Sequence, residues 1–319
     1  MSALFDPLTI GNVEFPNRIW VSPMCQYMAE DGFVGQWHDV HLGSFATGGT
    51  GLIMVEATGV VPEGRISIGC PSIEDDAHAH AFKSIIDFAH GHGVKMGIQL
   101  AHAGRKAGTA LPWADHKMAT PQEGGWQAVS SSPIAFEGYP EPRALTVDEI
   151  HQLTKDFAAA AKRAVAVGFD VIELHGAHGY LFHQFYSPLA NTRTDQYGGS
   201  FENRTRFLIE TVDAVKAAIP AGTPLFVRIS ATDWVDDGWN LIDSVELCTQ
   251  LKAHGVDLVD VSTGGNVHNA PIKATPGFQV PFATAIRAET GIMTTAVGLI
   301  TEPEQADHII QTGEADAVF

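Results

Sequence analysis

Residues 147–174 read VDEIHQLTKDFAAAAKRAVAVGFDVIEL and contain both of the patterns that decide the fold. Over residues 147–167 the apolar side chains recur at helical spacing, and Thr146, directly before them, is a residue type that caps the free N–H groups of a first helical turn. The run 170–174 is short and rich in Val, Ile and Leu, as buried parallel strands are. We therefore predict a helix followed by a strand.

This alternation of a longer amphipathic segment with a short apolar run extends in both directions along the chain. Eight apolar runs occur, at residues 18–22, 51–56, 95–100, 170–174, 225–229, 258–261, 293–297 and 316–319. Helical periodicity is clearest over residues 77–90, 147–167, 201–218, 242–254, 281–289 and 302–311. Eight strands alternating with helices favour an α/β fold, a (β/α)8 TIM barrel, as a single domain over residues 1–319. An open α/β sheet is the alternative, but no G-x-G-x-x-G fingerprint follows the first strand.

Two segments depart from this rhythm. Residues 104–143 contain several prolines and glycines, and because long excursions of this kind are usually functional, we predict a lid or small hairpin over the barrel mouth. The sequence stops at Phe319, inside the eighth apolar run. From the sequence we expect a barrel that is truncated in strand eight and lacks its last outer helix.

Composition restricts the kinds of partner. The chain has 19 Lys and Arg against 37 Asp and Glu, a formal net charge of −18, which argues against binding to nucleic acid or an anionic membrane. The start of the chain lacks a signal-peptide pattern, and no apolar run approaches the roughly 20 residues of a spanning helix. Cys25, Cys70 and Cys248 are far apart in sequence and predict neither a disulfide framework nor a metal site. We expect a soluble, cytoplasmic protein that acts on small molecules.

Polar residues follow the predicted strands, at the end of a barrel where active sites lie. The first strand leads into Ser22-Pro23-Met24-Cys25-Gln26-Tyr27 and the fourth into His175-Gly176-Ala177-His178-Gly179-Tyr180. Two histidines that converge from one strand end can act together as hydrogen-bond donors to one acceptor. The pairs His38 with His41 and His78 with His80 are predicted to lie on helix surfaces, with no chemistry assigned.

Ten stretches spread along the chain resemble the Old Yellow Enzyme family of FMN-dependent ene-reductases, and specifically its thermophilic-like (YqjM-like) branch. They are NRI at 17–19, SPMCQY at 22–27, VEA at 55–57, PEGRI at 62–66, GIQLAHAGRK at 97–106, DVIELHGAHGYLFHQFYSP at 170–188, NTRTDQYGGSFENR at 191–204, FVRIS at 226–230, VSTGG at 261–265 and AVGLIT at 296–301. Their joint order implies a ping-pong NAD(P)H:FMN oxidoreductase. NAD(P)H reduces FMN, and flavin N5 then delivers hydride to the β-carbon of an enone, enal, maleimide or nitroalkene.

The resemblance also implies a role for individual residues. His175 and His178 hold the substrate carbonyl over the flavin, Tyr180 protonates the α-carbon, and Tyr27 joins the substrate pocket. Arg228 and Gln99 serve the pyrimidine end of the flavin, and Cys25 tunes its reduction potential. The remaining cofactor-binding residues implied are Ser22, Pro23, Met24, Ala57, Ser262, Gly264 and Gly298, together with His175. Branch similarity further implies a homo-oligomer, a dimer or tetramer.

Other readings of the same residues remain. The spacing H-x-x-H is compatible with a metal site, although the Glu of H-E-x-x-H and a third ligand are missing, and we predict no metal. A dienoyl-CoA reductase would need iron–sulfur cysteines that the sequence lacks. A non-catalytic flavin-binding barrel would have no need of a proton donor such as Tyr180. The family's phosphate-gripping Gly-Arg pair after strand eight, and its C-terminal arginine, lie outside these 319 residues, so we expect a chain ending here to bind FMN weakly.

Overall fold

The computed structural model describes residues 2–319. An antiparallel hairpin of β1 (Leu8–Ile10) and β2 (Val13–Phe15) comes first. Its residues Ile10 and Phe15 are buried against Trp20, Leu52 and other side chains at one end of the barrel. The hairpin therefore covers the amino-terminal end of the strands and leaves the carboxyl end open.

Eight parallel strands form the barrel, as the sequence predicts. In chain order they are β3 (Trp20–Val21), β4 (Leu52–Gly59), β5 (Lys95–Ala101), β8 (Val171–Gly176), β9 (Leu225–Ser230), β10 (Leu258–Ser262), β11 (Met293–Ala296) and β12 (Ala317–Val318). Each strand pairs with the next in that order. The ring closes where Ile19 pairs with Val318, and the N–H of Val318 donates to the carbonyl of Arg18 at 2.9 Å.

Helices cover the outside of the barrel. They are α1 (Gln36–Thr47), α2 (Asp76–Ala81), α3 (Lys83–Gly91), α4 (Val147–Val167), α5 (Leu181–Tyr186), α6 (Phe201–Ala218), α7 (Leu241–Ala253), α8 (Val280–Thr290) and α9 (Pro303–Gln311). The prediction for 147–167 is confirmed, and Thr146 caps that helix by accepting from the N–H of Glu149. The predicted helix 77–90 is instead two helices that meet at Phe82. Sequence periodicity did not indicate α1, whose apolar side chains are not confined to one face.

The excursion after β5 contains the small hairpin that the sequence predicts. The N–H of Ala110 donates to the carbonyl of Lys117, and that of Ala119 to the carbonyl of Gly108. Further along, β6 (Val129–Ser130) and β7 (Arg143–Ala144) form a two-stranded parallel pair. Thr109 also pairs with Ser67, so the excursion is joined to the loop after β4 at the carboxyl end of the barrel.

The surface placement predicted for the histidine pairs is wrong for one member of each pair. His38 is 1% exposed because its ring faces the buried carboxylate of Glu56, and His78 is 6% exposed because it stacks on Phe33. Within residues 2–319, no helix is both long enough and apolar enough to cross a bilayer.

Candidate active site

A cavity of about 600 Å³ lies at the carboxyl ends of the barrel strands, a size typical of cofactor and ligand sites. Ten of the residues predicted from the sequence line it: Ser22, Pro23, Met24, Cys25, Ala57, Gln99, His175, His178, Tyr180 and Arg228. They come from five different strand ends and the loops that follow them. The remaining wall is mostly apolar, with Trp20, Val21, Phe45, Ile66, Val297 and Phe319.

His175 is held as a neutral ring with a defined tautomer. Burial, and next the charge of Arg228, lower its pKa well below the usual value. Its Nδ1 accepts a hydrogen bond of 3.3 Å from the N–H of Ala177. Because Nδ1 is the acceptor, the ring hydrogen is on Nε2, and His175 is a hydrogen-bond donor at that atom.

His178 lies beside it, with the two ring centroids 5.3 Å apart and the planes nearly perpendicular. Burial lowers its pKa as well. Its Nε2 is 2.8 Å from the hydroxyl of Ser262, and that hydroxyl is 3.2 Å from Oε1 of Gln279. Thr263 already donates to the same amide oxygen at 2.6 Å. The tautomer of His178 is therefore set by where Ser262 places its single hydrogen.

Tyr180 completes this side of the cavity. Its ring centroid is 4.8 Å from that of His175. Burial raises the pKa of its phenol well above the usual value, so the hydroxyl keeps its proton throughout the neutral range. Gly179, between the second histidine and the tyrosine, has φ +70 and no room for a Cβ against the backbone of Gly265. Glycine at this position allows the loop to approach the barrel closely.

A buried network of charges lies below the cavity. Arg228 is opposite His175 in the pairing of β8 with β9, and its Nε is 2.9 Å from Oδ2 of Asp260. Gln99 donates from its amide nitrogen to Glu173 at 2.8 Å. Burial, and next the charge of Asp260, raise the pKa of Glu173 to about 8. One arginine thus faces two carboxyl groups, and Glu173 is protonated at neutral pH.

Four of the predicted site residues are not in the cavity wall. Tyr27 packs close to Cys25 and Tyr180 in a neighbouring cluster. It also lines a second cavity, beside the small hairpin of the excursion after β5. Ser262 lies behind His178 and contacts its ring. The carbonyl of Gly264 accepts from the hydroxyl of Ser230, and Gly298 packs against Gln279 next to Val297, which does line the cavity.

One protein-family model matches almost the whole chain. Residues 3–319 match the model of the NADH:flavin oxidoreductase / NADH oxidase family. The chain belongs to this family. Membership makes it a flavin oxidoreductase, with FMN as cofactor and a reduced nicotinamide as reductant.

Individual relatives of this flavin oxidoreductase agree with that assignment. An NADH:flavin oxidoreductase of Gibberella zeae is 45% identical over 97% of this chain and 80% of its own length. An NADPH dehydrogenase of Geobacillus thermodenitrificans is 46% identical over 100% of this chain and 89% of its own. Among solved structures, the old yellow enzyme homologue from Zymomonas mobilis has a TM-score of 0.81 at 26% identity, covering 99% of this chain and 87% of that one. The resemblance to the Old Yellow Enzyme family is confirmed.

The residues of the cavity fit a flavin. One side carries an amide, a guanidinium and an imidazole, from Gln99, Arg228 and His175, on three adjacent strands. Such donors suit the carbonyl and nitrogen atoms of a pyrimidine ring, and the apolar wall suits the rest of a flat aromatic system. Arg228 has no acceptor other than Asp260 within the described residues, so its guanidinium retains donors for a ligand.

Sequence reasoning missed two groups that hold the loop after β8, residues 177–180. Lys106 donates from Nζ to the carbonyls of His178 and Gly265, at 2.8 and 3.0 Å. Nε2 of His183 is 2.9 Å from Oδ1 of Asp233, both fully buried, and Nδ1 of His183 accepts from the N–H of Gly179. Lys106 ends the quoted stretch GIQLAHAGRK and was visible there, but nothing in the sequence places Asp233 near His183.

Proposed function

We propose that this flavin oxidoreductase is an ene-reductase that uses NAD(P)H to reduce activated alkenes such as enones, enals, maleimides and nitroalkenes. The observation that carries the proposal is the arrangement of His175, His178 and Tyr180 on one wall of the cavity. Two neutral imidazoles and a protonated phenol provide two hydrogen-bond donors and one proton within a single small site.

FMN, when bound, supplies an acceptor and donor of hydride, first towards the nicotinamide and then towards the alkene. The protein's task is to stabilise the negative charge that grows on the substrate's carbonyl oxygen as hydride reaches the β-carbon. Two fixed donors in a buried site do this without reorganisation, and loss of one such donor typically costs about 10²–10³-fold in rate. His175 donates from Nε2, because its Nδ1 is engaged with the N–H of Ala177.

His178 donates from the other ring nitrogen, Nδ1. Its Nε2 faces Ser262, so its Nδ1 is the atom left for a ligand. Nδ1 is a donor when Nε2 accepts the hydrogen of the Ser262 hydroxyl. The hydroxyl of Ser262 lies nearer to Nε2 of His178, at 2.8 Å, than to Oε1 of Gln279, at 3.2 Å, and in this proposal it directs its hydrogen to His178. We assign Ser262 to positioning of the His178 hydrogen, in place of the direct flavin contact that the sequence led us to expect.

Tyr180 is the proton donor in this proposal. Its raised pKa keeps the phenol protonated, and the stabilised enolate needs a proton at the α-carbon to complete the reduction. Gln99 and Arg228 would hold the pyrimidine end of the flavin, with Ser22, Pro23, Met24 and Ala57 against its ring and Gly264 and Gly298 towards its phosphate end. Cys25 would lie at the ring edge and Tyr27 at the border of the substrate pocket.

The visible spectrum of the purified protein tests the proposal. Bound FMN should lose its colour when NADPH or NADH is added without oxygen and recover it when cyclohexenone follows, with cyclohexanone as the product. A protein that takes up FMN and is bleached but is never reoxidised by an activated alkene would be a flavin oxidoreductase of another kind. A protein that binds no added FMN would contradict the proposal altogether.

A further inference from the structure

Two cysteines that are distant in sequence meet next to the cavity. Cys25 follows β3, and Cys70 lies in the loop between β4 and α2. Their sulfur atoms and a carboxylate oxygen of Glu56, in β4, all lie within 4.8 Å of one another. This group is not visible in the sequence, because neither cysteine has another ligand residue at short spacing. All three cysteines are free thiols, but two of them lie side by side.

Burial makes this a costly place for a carboxylate. Cys70 is fully buried and Glu56 is 3% exposed, whereas Cys25 is partly exposed on the cavity wall. Glu56 accepts the N–H of Gln26 at 3.0 Å on one oxygen, and its other oxygen is 3.3 Å from Nε2 of His38. Each carboxylate oxygen has two lone pairs, so Glu56 keeps acceptor capacity towards the two thiols.

The ring of His38 lies beside the carboxylate and is not itself an available ligand. Its Nδ1 accepts the N–H of Gly35 at 3.2 Å, so the ring hydrogen is on Nε2 and faces Glu56. The contact between Nε2 and Glu56 is not a well-formed hydrogen bond, so the N–H of Gln26 is the group that holds the carboxylate in place.

We propose that Cys25, Cys70 and Glu56 form a binding site for a thiophilic divalent cation of the zinc class, beside the flavin cavity. Zinc binds thiolate at about 2.3 Å and carboxylate at about 2.0–2.2 Å. At a tetrahedral angle those bonds separate two sulfurs by about 3.8 Å. The present spacing therefore needs to contract by no more than about 1 Å, a side-chain movement.

The step is balanced by proton release. Each thiol gives up its proton and forms a sulfur–zinc bond, so two thiols and Zn²⁺ yield the bound ion and two protons, without a change of oxidation state. The neighbouring Cys25 thiol, together with burial, raises the pKa of the Cys70 thiol well above its usual value. The ion takes the place of both thiol protons.

A disulfide between the two cysteines is the competing use of this pair. It has no need of a carboxylate, and the charge of Glu56 disfavours the thiolate that would have to attack. Three convergent donor atoms, with the Glu56 carboxylate already held by the N–H of Gln26, favour a cation. The inference does not rest on the proposed alkene reduction: His175, His178 and Tyr180 take no part in it, and only Cys25 is shared with the proposed flavin site.

Zinc binding to the flavin-loaded protein, with its cysteine thiols reduced, tests the proposal. Competition with a chromophoric chelator should give one zinc per chain in the wild type, and affinity at least 100-fold lower in Cys70→Ser. Cys248→Ser is the matched control, because Cys248 is also a fully buried thiol but lies in α7, in a different cluster. It should bind zinc like the wild type. X-ray absorption should show two sulfur neighbours at about 2.3 Å.

The sulfur signal also separates this site from the other candidate group on the described chain, Glu74, Asp75 and His78, which contains no sulfur. Should Cys70→Ser fail to fold, Glu56→Gln and methylthiolation of Cys25 in the folded wild type replace it, each with the same expected loss. Equal zinc binding in wild type and variants, or a shell of nitrogen and oxygen only, would overturn the proposal. So would reduced thiols that take up no zinc but form a Cys25–Cys70 disulfide in air.

Discussion

The ammonium group of Lys106 donates a hydrogen bond of 2.8 Å to the main-chain carbonyl of His178, and so joins the segment after β5 to the loop after β8. His178 has φ +58, a conformation that costs a residue with a side chain about 1–2 kcal/mol. Contacts on both sides maintain it, since the hydroxyl of Ser230 accepts the N–H of His178 at 2.9 Å. The position of this histidine is thus fixed through its backbone.

Replacing Lys106 with Met keeps the apolar stem but removes both hydrogen bonds to the loop. Because the loop is then held less firmly, we expect kcat/KM for cyclohexenone to fall at least tenfold, while FMN content stays close to that of the wild type. Steady-state kinetics and the flavin-to-protein absorbance ratio measure the two effects. Unchanged kcat/KM would show that Lys106 does not position His178.

Tyr180→Phe removes only the phenolic hydroxyl. General acid catalysis typically contributes about 10²–10⁴-fold, so reoxidation of the reduced enzyme by cyclohexenone should slow by about 10²-fold or more. Reduction by NADPH needs no proton from Tyr180 and should change little. Stopped-flow absorbance follows both half-reactions separately. A variant that loses both rates in equal measure would point to a disturbed cavity and not to a missing proton donor.

Ser262→Ala removes the group that directs the His178 hydrogen. The Nδ1 donor is then no longer enforced, and we expect reoxidation by cyclohexenone to slow by about tenfold, corresponding to about 1.4 kcal/mol. Ser262→Thr keeps a hydroxyl at the same position and is the matched control, with most of the rate restored. Equal rates in the alanine and threonine variants would contradict a role for the hydroxyl.

Glu173 makes the stability of the protein depend on pH. Its pKa is about 8 in the fold against an ordinary 4.5, so between these values the native state holds a proton that the unfolded chain releases. The unfolded state therefore binds fewer protons, and stability falls as the pH rises, by at most about 1.4 kcal/mol for each pH unit. Glu173→Gln cannot ionise and should flatten this dependence. Urea unfolding at pH 5.5 and 7.5 compares the two proteins, and parallel curves would contradict the assignment.

Much of the fold follows from residue patterns. The eight barrel strands were visible because a buried parallel strand is a continuous apolar run, and α4 and α6 because long amphipathic helices repeat clearly. Helix α1 was missed because its buried face includes His38 and Gly43, which carry no apolar signal. The break at Phe82 was hidden by helical spacing that continues across it.

The sequence predicted which individual residues at the strand ends belong to the site. His175, His178, Tyr180, Gln99 and Arg228 are all in the cavity, since parallel strands bring their carboxyl ends to one place. What the sequence could not provide was contact between distant segments, such as Cys70 with Cys25 or His183 with Asp233. The individual roles, the oligomeric state and the cytoplasmic location stay predictions.

The central claim is that His175 and His178 together hold the carbonyl oxygen of the alkene. Stopped-flow reoxidation of the photochemically reduced double variant, His175→Ala with His178→Ala, tests it most directly, with dioxygen as the comparison oxidant because it has no carbonyl to bind. We expect reoxidation by cyclohexenone to slow by at least about 10²-fold, while reoxidation by dioxygen stays within a few-fold of the wild type. A double variant that cyclohexenone reoxidises at the wild-type rate would contradict it.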